Sequence, residues 1–226
     1  MLGVALSYAY AYDMHMPTDI PDIRPFHRTA VLNSVELVAT VRPADLDAPT
    51  PCAGWTLADL FAHMTVQHRG FAMAARGYGA DAELWRPESV LEAVRTDPAT
   101  TYADAARDVL EAFADDAALD ASFALPEFGP GATFPGAIAM GFHFIDYVVH
   151  GWDVAAALGV PYVLPADVVG AALPLAFAVP DGEFRALDEV PFAPAIQPVT
   201  GNDLDRILRH LGRRPDWAAG ERTKIA

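Results

Sequence analysis

AMGFHFIDYVVHGWDVAAALG, residues 139–159, is the stretch on which the architecture turns. It is long and apolar, and it ends on Gly159 with Pro161 just beyond, the usual stop of a helix. The spacing predicts a helix over about 134–158. Within it stand His143, Asp146, His150 and Asp153. A helix that is apolar on nearly every side is a core helix, so these four groups need partners inside the protein.

Asp146 and His150 are four apart and project from one helical face, one turn from each other. His143 lies on the same stripe, three residues before Asp146. A carboxylate and an imidazole at this spacing can hold one divalent ion. Two ligands rarely suffice, so another helix must bring a third. His63, in LFAHMTVQH, is the candidate: it sits two turns into a predicted helix and is flanked by Leu60, Phe61, Met64 and Val66. Spacing alone leaves other readings open. A lone inward histidine can be a hydrogen-bonded core residue, and Asp146 and His150 can simply pair. Asp153 can hydrogen-bond a ligating imidazole and set its tautomer, or cap, or pair with an arginine.

Outward from this stretch, the pattern is helical. FHRTAVLNSVELVATVR (26–42) repeats valine at spacings of four, three and three. TLAD reads as a capping box, with Thr56 as N-cap and Asp59 three residues on, and opens a helix to about Arg76. Residues 101–118 are an alanine-rich third helix, and LPEFGPGATFPG (125–136) reads as a loop. A fifth helix is expected over 165–179, kinked near Pro174. VPFAPAIQPV (190–199) reads as extended. GNDLDRILRHLGRRPDW closes the chain with a short helix, capped by Asn202 and stopped at Gly212. The expected fold is all-α, an antiparallel four-helix bundle over 21–180. Residues 1–20 are expected as a disordered extension, and 181–226 as an arm packed on the bundle. Met14 or Met16 could be the true start.

The composition restricts function. Thirty acidic against fifteen basic residues give a net charge of −15. A phosphate backbone would be repelled, which excludes nucleic acid as a partner class. Cys52 is the single cysteine, so a disulfide scaffold is excluded. No long uncharged apolar run suggests a membrane span, and the N-terminus lacks the basic start of a signal peptide. The chain is expected to be cytoplasmic. Apolar bundle faces suit a homodimer.

The remaining polar residues are given structural readings. Cys52, in PTPCAGW, reads as a small buried thiol. Trp55 and Trp152 read as core anchors. His68 is five residues past His63, about 140° round the helix, and is expected to be solvated or at an interface. His15, His27 and His210 fall in segments read as exposed or terminal. GRRPDW (212–217) is a basic spot in an acidic chain. It reads as a turn with solvated arginines, the alternative being an anionic substrate group held there.

Four stretches carry a resemblance to a known family: the helix at 26–42, DAPTPCAGWTLADLFAHM (47–64), VVHGWDVAAALG (148–159) and HLGRRPDW (210–217). Together they make the chain similar to the mycothiol-dependent maleylpyruvate isomerase-like proteins of actinobacteria, within the DinB/YfiT-like metalloenzyme superfamily. The resemblance implies a four-helix bundle holding a metal, zinc first and nickel second, by three side chains. Carried over residue by residue, these fall on His63, Asp146 and His150. The family's isomerase branch has Glu where this chain has Asp146. Aspartate is one methylene shorter, so the ion must shift, or His143 must substitute. The related enzymes use the open metal position for a low-molecular-weight thiol. The implied function is therefore mycothiol-type S-transfer or thiol-assisted isomerisation of a small electrophile. A metal-dependent hydrolase, or a non-catalytic binding bundle with a degenerate site, are the alternatives.

Overall fold

The computed structural model describes residues 21–182, 185 and 192–219. The expected N-terminal extension and His15 lie outside these residues, as does part of the 190–199 segment.

Four long helices form the body: α1 (Arg24–Val38), α2 (Leu57–Ala75), α4 (Pro98–Ala114) and α6 (Gly136–Leu158). A short α3 (Leu91–Thr96) and α5 (Ala117–Asp120) sit in the connections. The helix α7 (Ala166–Ala178) packs on α6 and α1, and α8 (Asp203–His210) packs on α7. The all-α bundle read from the sequence is the fold.

Local signals explain the boundaries. The Thr56 hydroxyl accepts from the Asp59 amide, and the Asp59 carboxylate accepts from the Thr56 amide, so the capping box opens α2 as expected. Pro98 starts α4 at its first turn, three residues earlier than the alanine pattern suggested, with Asp97 capping Thr100. Gly159 (φ +67°) ends α6 in the left-handed region, where a Cβ would be penalised. Pro174 stands inside α7, and Asn202 caps α8.

The contacts set the helix directions. His27 and Ser34 on α1 meet Phe113 and Tyr102 on α4, so these two run antiparallel. His63 and Phe71 on α2 meet His150 and His143 on α6, which makes that pair antiparallel too. Phe61 and Arg76 on α2 meet Tyr102 and Asp108 on α4, so α2 and α4 are parallel. The order is up, down, down, up. A parallel step requires a connection that spans the bundle, and residues 76–97, with α3 and two 3-10 turns, supply it.

One segment differs from its expected form. The 125–136 stretch belongs to a small hairpin, β1 (Ser122–Ala124) against β2 (Thr133–Pro135), with a 3-10 turn at Pro126–Phe128 between. Its glycines and prolines serve the turn, while Phe123 and Phe134 alternate inward from the two strands. The strands are too short for periodicity to reveal them.

One buried side chain gathers several backbone carbonyls of the C-terminal segment. Arg185 is 2% exposed and donates to the carbonyls of Val179, Pro180, Ala193 and His210. It thereby ties the end of α7 to the end of α8, and so positions the turn that follows α8.

Candidate metal centre

The antiparallel packing of α2 and α6 sets His63 opposite Asp146 and His150. His63 Nε2 is 3.9 Å from Asp146 Oδ2, and His150 Nε2 is 3.3 Å from Asp146 Oδ1. The two imidazoles meet edge to face, 5.2 Å between centroids. One donor atom from each residue lies within 4.8 Å of the others. Donors about 2.1 Å from a tetrahedral ion are about 3.4 Å apart, so the three side chains need little movement to close on one.

The imidazole of His150 is oriented from behind. Its Nδ1–H donates to Asp153 Oδ2 over 2.9 Å, which leaves Nε2 pointing at Asp146. Asp153 is fully buried and also receives Arg213 Nη2 at 3.3 Å and the Cys52 thiol at 3.3 Å. With Nδ1 protonated, a bare Nε2 lone pair would face a carboxylate. A positive charge must lie between them, and either a proton or a metal ion supplies it. In the metal-free protein it is a proton: against the burial that opposes it, Asp146 and Asp153 hold His150 well above the usual histidine range. Against the same burial, His150 holds Asp146 below the usual carboxylate range. His63 is pushed down to about 4, by burial first and by His150 second, so it is neutral and its lone pair is free. Two neutral-capable imidazoles and an ionised carboxylate are a donor set that suits zinc or a similar divalent ion.

His143 is not brought to this group. It lies deep in the bundle, with Nδ1 2.8 Å from His27 Nε2 and Nε2 3.3 Å from His68 Nδ1. Both ring nitrogens are engaged, which corrects the expectation that His143 could replace Asp146. It also corrects the surface readings of His27 and His68, which are 1% and 0% exposed. Because α2 is covered by α4 on one side and α6 on the other, a residue turned away from the metal stripe is still inside. Tyr147 stacks on both His68 and His143, with its hydroxyl donating to the Met64 carbonyl.

Three other readings change. Trp55 is 37% exposed, and its ring lies 5.0 Å from that of His63, so it is a rim residue rather than a core anchor. Cys52, which has no acid or histidine near it in sequence, is brought to Asp153 and within 3.9 Å of His150 Nδ1. Arg213, from the basic spot read as solvated, is 8% exposed and sits between Cys52 and Asp153. Its guanidinium supplies the positive charge that Cys52, His150 and Asp153 would otherwise invite from a metal. Arg213 could be suspected from the sequence as one of the few bases in an acidic chain, but nothing local marked it as inward. A surface depression of about 480 Å³ between Trp152, Tyr162 and Trp217 includes none of the three candidate ligands.

Comparison with known proteins bears on this arrangement. Residues 27–155, more than half of the chain, match the family described as the mycothiol maleylpyruvate isomerase N-terminal domain. The chain belongs to that family. Two uncharacterized proteins of Mycobacterium tuberculosis, MT0763 and Rv0738, are each 30% identical to this family member over 193 residues, covering 83% of it and 95% of themselves. Among solved structures, the mycothiol-dependent maleylpyruvate isomerase superposes with a TM-score of 0.52 at 13% identity. A histidine-to-alanine mutant of it gives 0.54 at 12%. Each alignment covers 70% of this chain and 68% of the isomerase, and establishes a shared fold. Among the described residues, no helix of this family member is long and apolar enough to cross a membrane.

Proposed function

We propose that this protein is a metal-dependent enzyme that uses a low-molecular-weight thiol of the mycothiol kind to transfer sulfur to, or isomerise, a small electrophile. His63, Asp146 and His150 would hold the metal, zinc first and nickel second. The convergence of these three donors, with His150 oriented by Asp153, is the observation that carries the reading. Family membership supports the thiol, because the solved relatives are named for mycothiol dependence.

A bound divalent ion would lower the pKa of a thiol beside it and so favour the nucleophilic thiolate at neutral pH. The protein's own groups do the rest. Asp153 fixes the tautomer of His150. Arg213 compensates the charge of Asp153. Trp55 covers the outer edge of His63 and narrows the approach.

The test is metal analysis of protein purified without a histidine tag, followed by turnover of maleylpyruvate with and without mycothiol. Near-stoichiometric metal, lost in His150→Ala, is expected, together with turnover that needs the thiol. Metal-free protein, inactive after zinc or nickel is added, would remove the reading. Turnover without any thiol would point to metal-dependent hydrolysis instead.

A further inference from the structure

The candidate metal centre has a neighbour at one end of the α2–α6 seam. Because α2 and α6 are antiparallel, the residue one turn after His63 and the residue one turn before Asp146 point toward the same end. These are Gln67 and Phe142. Both grip the hairpin. Phe142 packs at 5.1 Å against Phe128 and at 5.1 Å against Phe134. Gln67, 4% exposed, donates from Nε2 to Glu127 Oε1 over 2.7 Å. The hairpin turn thus delivers a carboxylate to Gln67, which stands one helical turn beyond His63 on α2. Glu127 remains open to solvent at its rim.

We infer that Glu127 is the proton acceptor for the thiol substrate, held in place by Gln67. The inference rests on the thiol reading above.

Its surroundings suit that task. Although Glu127 is an exposed residue, its carboxyl is turned inward onto buried Gln67. Desolvation there, and then the nearby charge of Asp146, push it up to about 7, while the Gln67 hydrogen bond works the other way. Among the described residues, these groups face it. Asp146 comes from α6, and neutral Gln67 from α2. The 3-10 turn Ala82–Trp85, packed on the hairpin turn, brings Glu83, which is paired with Arg86 at 3.0 Å. A base with a pKa near working pH is the efficient kind for proton transfer.

The step balances without any oxidant. The thiol S–H bond breaks, and its proton moves to the carboxylate oxygen of Glu127 that Gln67 does not hold. The electron pair stays on sulfur and forms a C–S bond with an activated double bond, whose π pair moves onto the conjugated carbonyl oxygen. After rotation about the resulting single bond the pair returns, the C–S bond breaks, and sulfur recovers its proton from Glu127.

A structural role for Glu127 as hairpin anchor makes a different prediction, and Glu127→Gln separates the two. The amide oxygen can still accept from Gln67, but the side chain cannot take a proton. Thiol-dependent turnover of zinc-loaded protein is followed from pH 5.5 to 8.5, mycothiol affinity is measured by calorimetry, and carboxyl titration is followed by carbon-13 NMR. Wild type should lose kcat/KM on the acid side of about 7, where Glu127 is protonated and cannot accept. Glu127→Gln should bind mycothiol within a few fold, lose about 100-fold in thiol-dependent turnover, and lack both that acid limb and the carboxyl titrating near 7. Wild-type turnover or an unchanged acid limb in the variant would overturn the inference. So would a wild-type profile with no limb near 7, a result that needs no variant to fold. Failure of mycothiol to bind wild type would overturn the thiol reading itself, and this inference with it.

Discussion

His150 Nδ1 lies 2.9 Å from Asp153 Oδ2, one turn further along the same helix. The contact decides which nitrogen of His150 is presented to Asp146 and His63. It also joins the site to the C-terminal arm, because Arg213 reaches the same carboxylate oxygen.

Asp153→Asn keeps the shape but weakens the acceptor that orients His150. The metal dissociation constant should rise about 10–100-fold, measured by competition with a chromophoric chelator. The buried guanidinium of Arg213 also loses its counter-charge, so the melting temperature should fall. Unchanged metal affinity would show that Asp153 acts on Arg213 alone.

Trp55 should report metal binding. Its ring is 5.0 Å from the His63 ring and 37% exposed. Adding zinc to metal-free protein should change tryptophan emission saturably. Trp55→Phe should lose that change while retaining comparable affinity by calorimetry. A signal of undiminished size in the variant would place its source at another tryptophan.

The histidine chain should make the metal-free protein acid-sensitive. His27 is held at about 3 by burial, and burial holds His143 and His68 well below the usual range. The folded state keeps these groups neutral, whereas the unfolded state protonates them below about 6.5. Their contribution is therefore fully present above that pH and declines as pH falls, by up to ~1.4 kcal/mol per pH unit for each. His63, held at about 4, acts in the same direction. His150, held high, works weakly in the opposite direction near pH 6.5 and adds no slope well below it, where both states are protonated. Urea midpoints of chelator-treated protein should fall between pH 6.5 and 4.5, and less steeply in His27→Gln. Identical slopes would refute the assignment.

Two glycines should respond oppositely to alanine. A Cβ at Gly136 would lie 1.8 Å from the Ala118 carbonyl oxygen, backbone that cannot turn away. Gly136→Ala should cost about 3 kcal/mol and disturb the hairpin that carries Glu127. Gly170 in α7 has nothing within 4 Å of an added Cβ. Gly170→Ala should stabilise by about 0.5–1 kcal/mol. Chemical denaturation of both variants checks the contrast.

The long elements were legible because periodicity and capping are local physics. The valine spacing of α1, the Thr56–Asp59 box of α2 and the Gly159 stop of α6 each act within a turn or two of their own chain. The same reach made Asp146 and His150 visible as a pair, and made Asp153 a candidate to orient an imidazole. Polar groups on an apolar helix marked His63, although which helix it faced was not a local matter.

What the tertiary structure decided is everything that depends on which faces meet. His143 shares the helical stripe of Asp146, yet it is claimed by His27 and His68, because a bundle helix touches more than one neighbour. Cys52 and Arg213, 161 residues apart, meet at one carboxylate through the fold of the arm. Glu127 is an ordinary turn residue in sequence. Only the antiparallel pairing of α2 with α6, and the hairpin folded over their ends, sets it beside Gln67, one turn from His63. Periodicity extends along one chain segment. Packing joins segments whose separation in sequence carries no information about their separation in space.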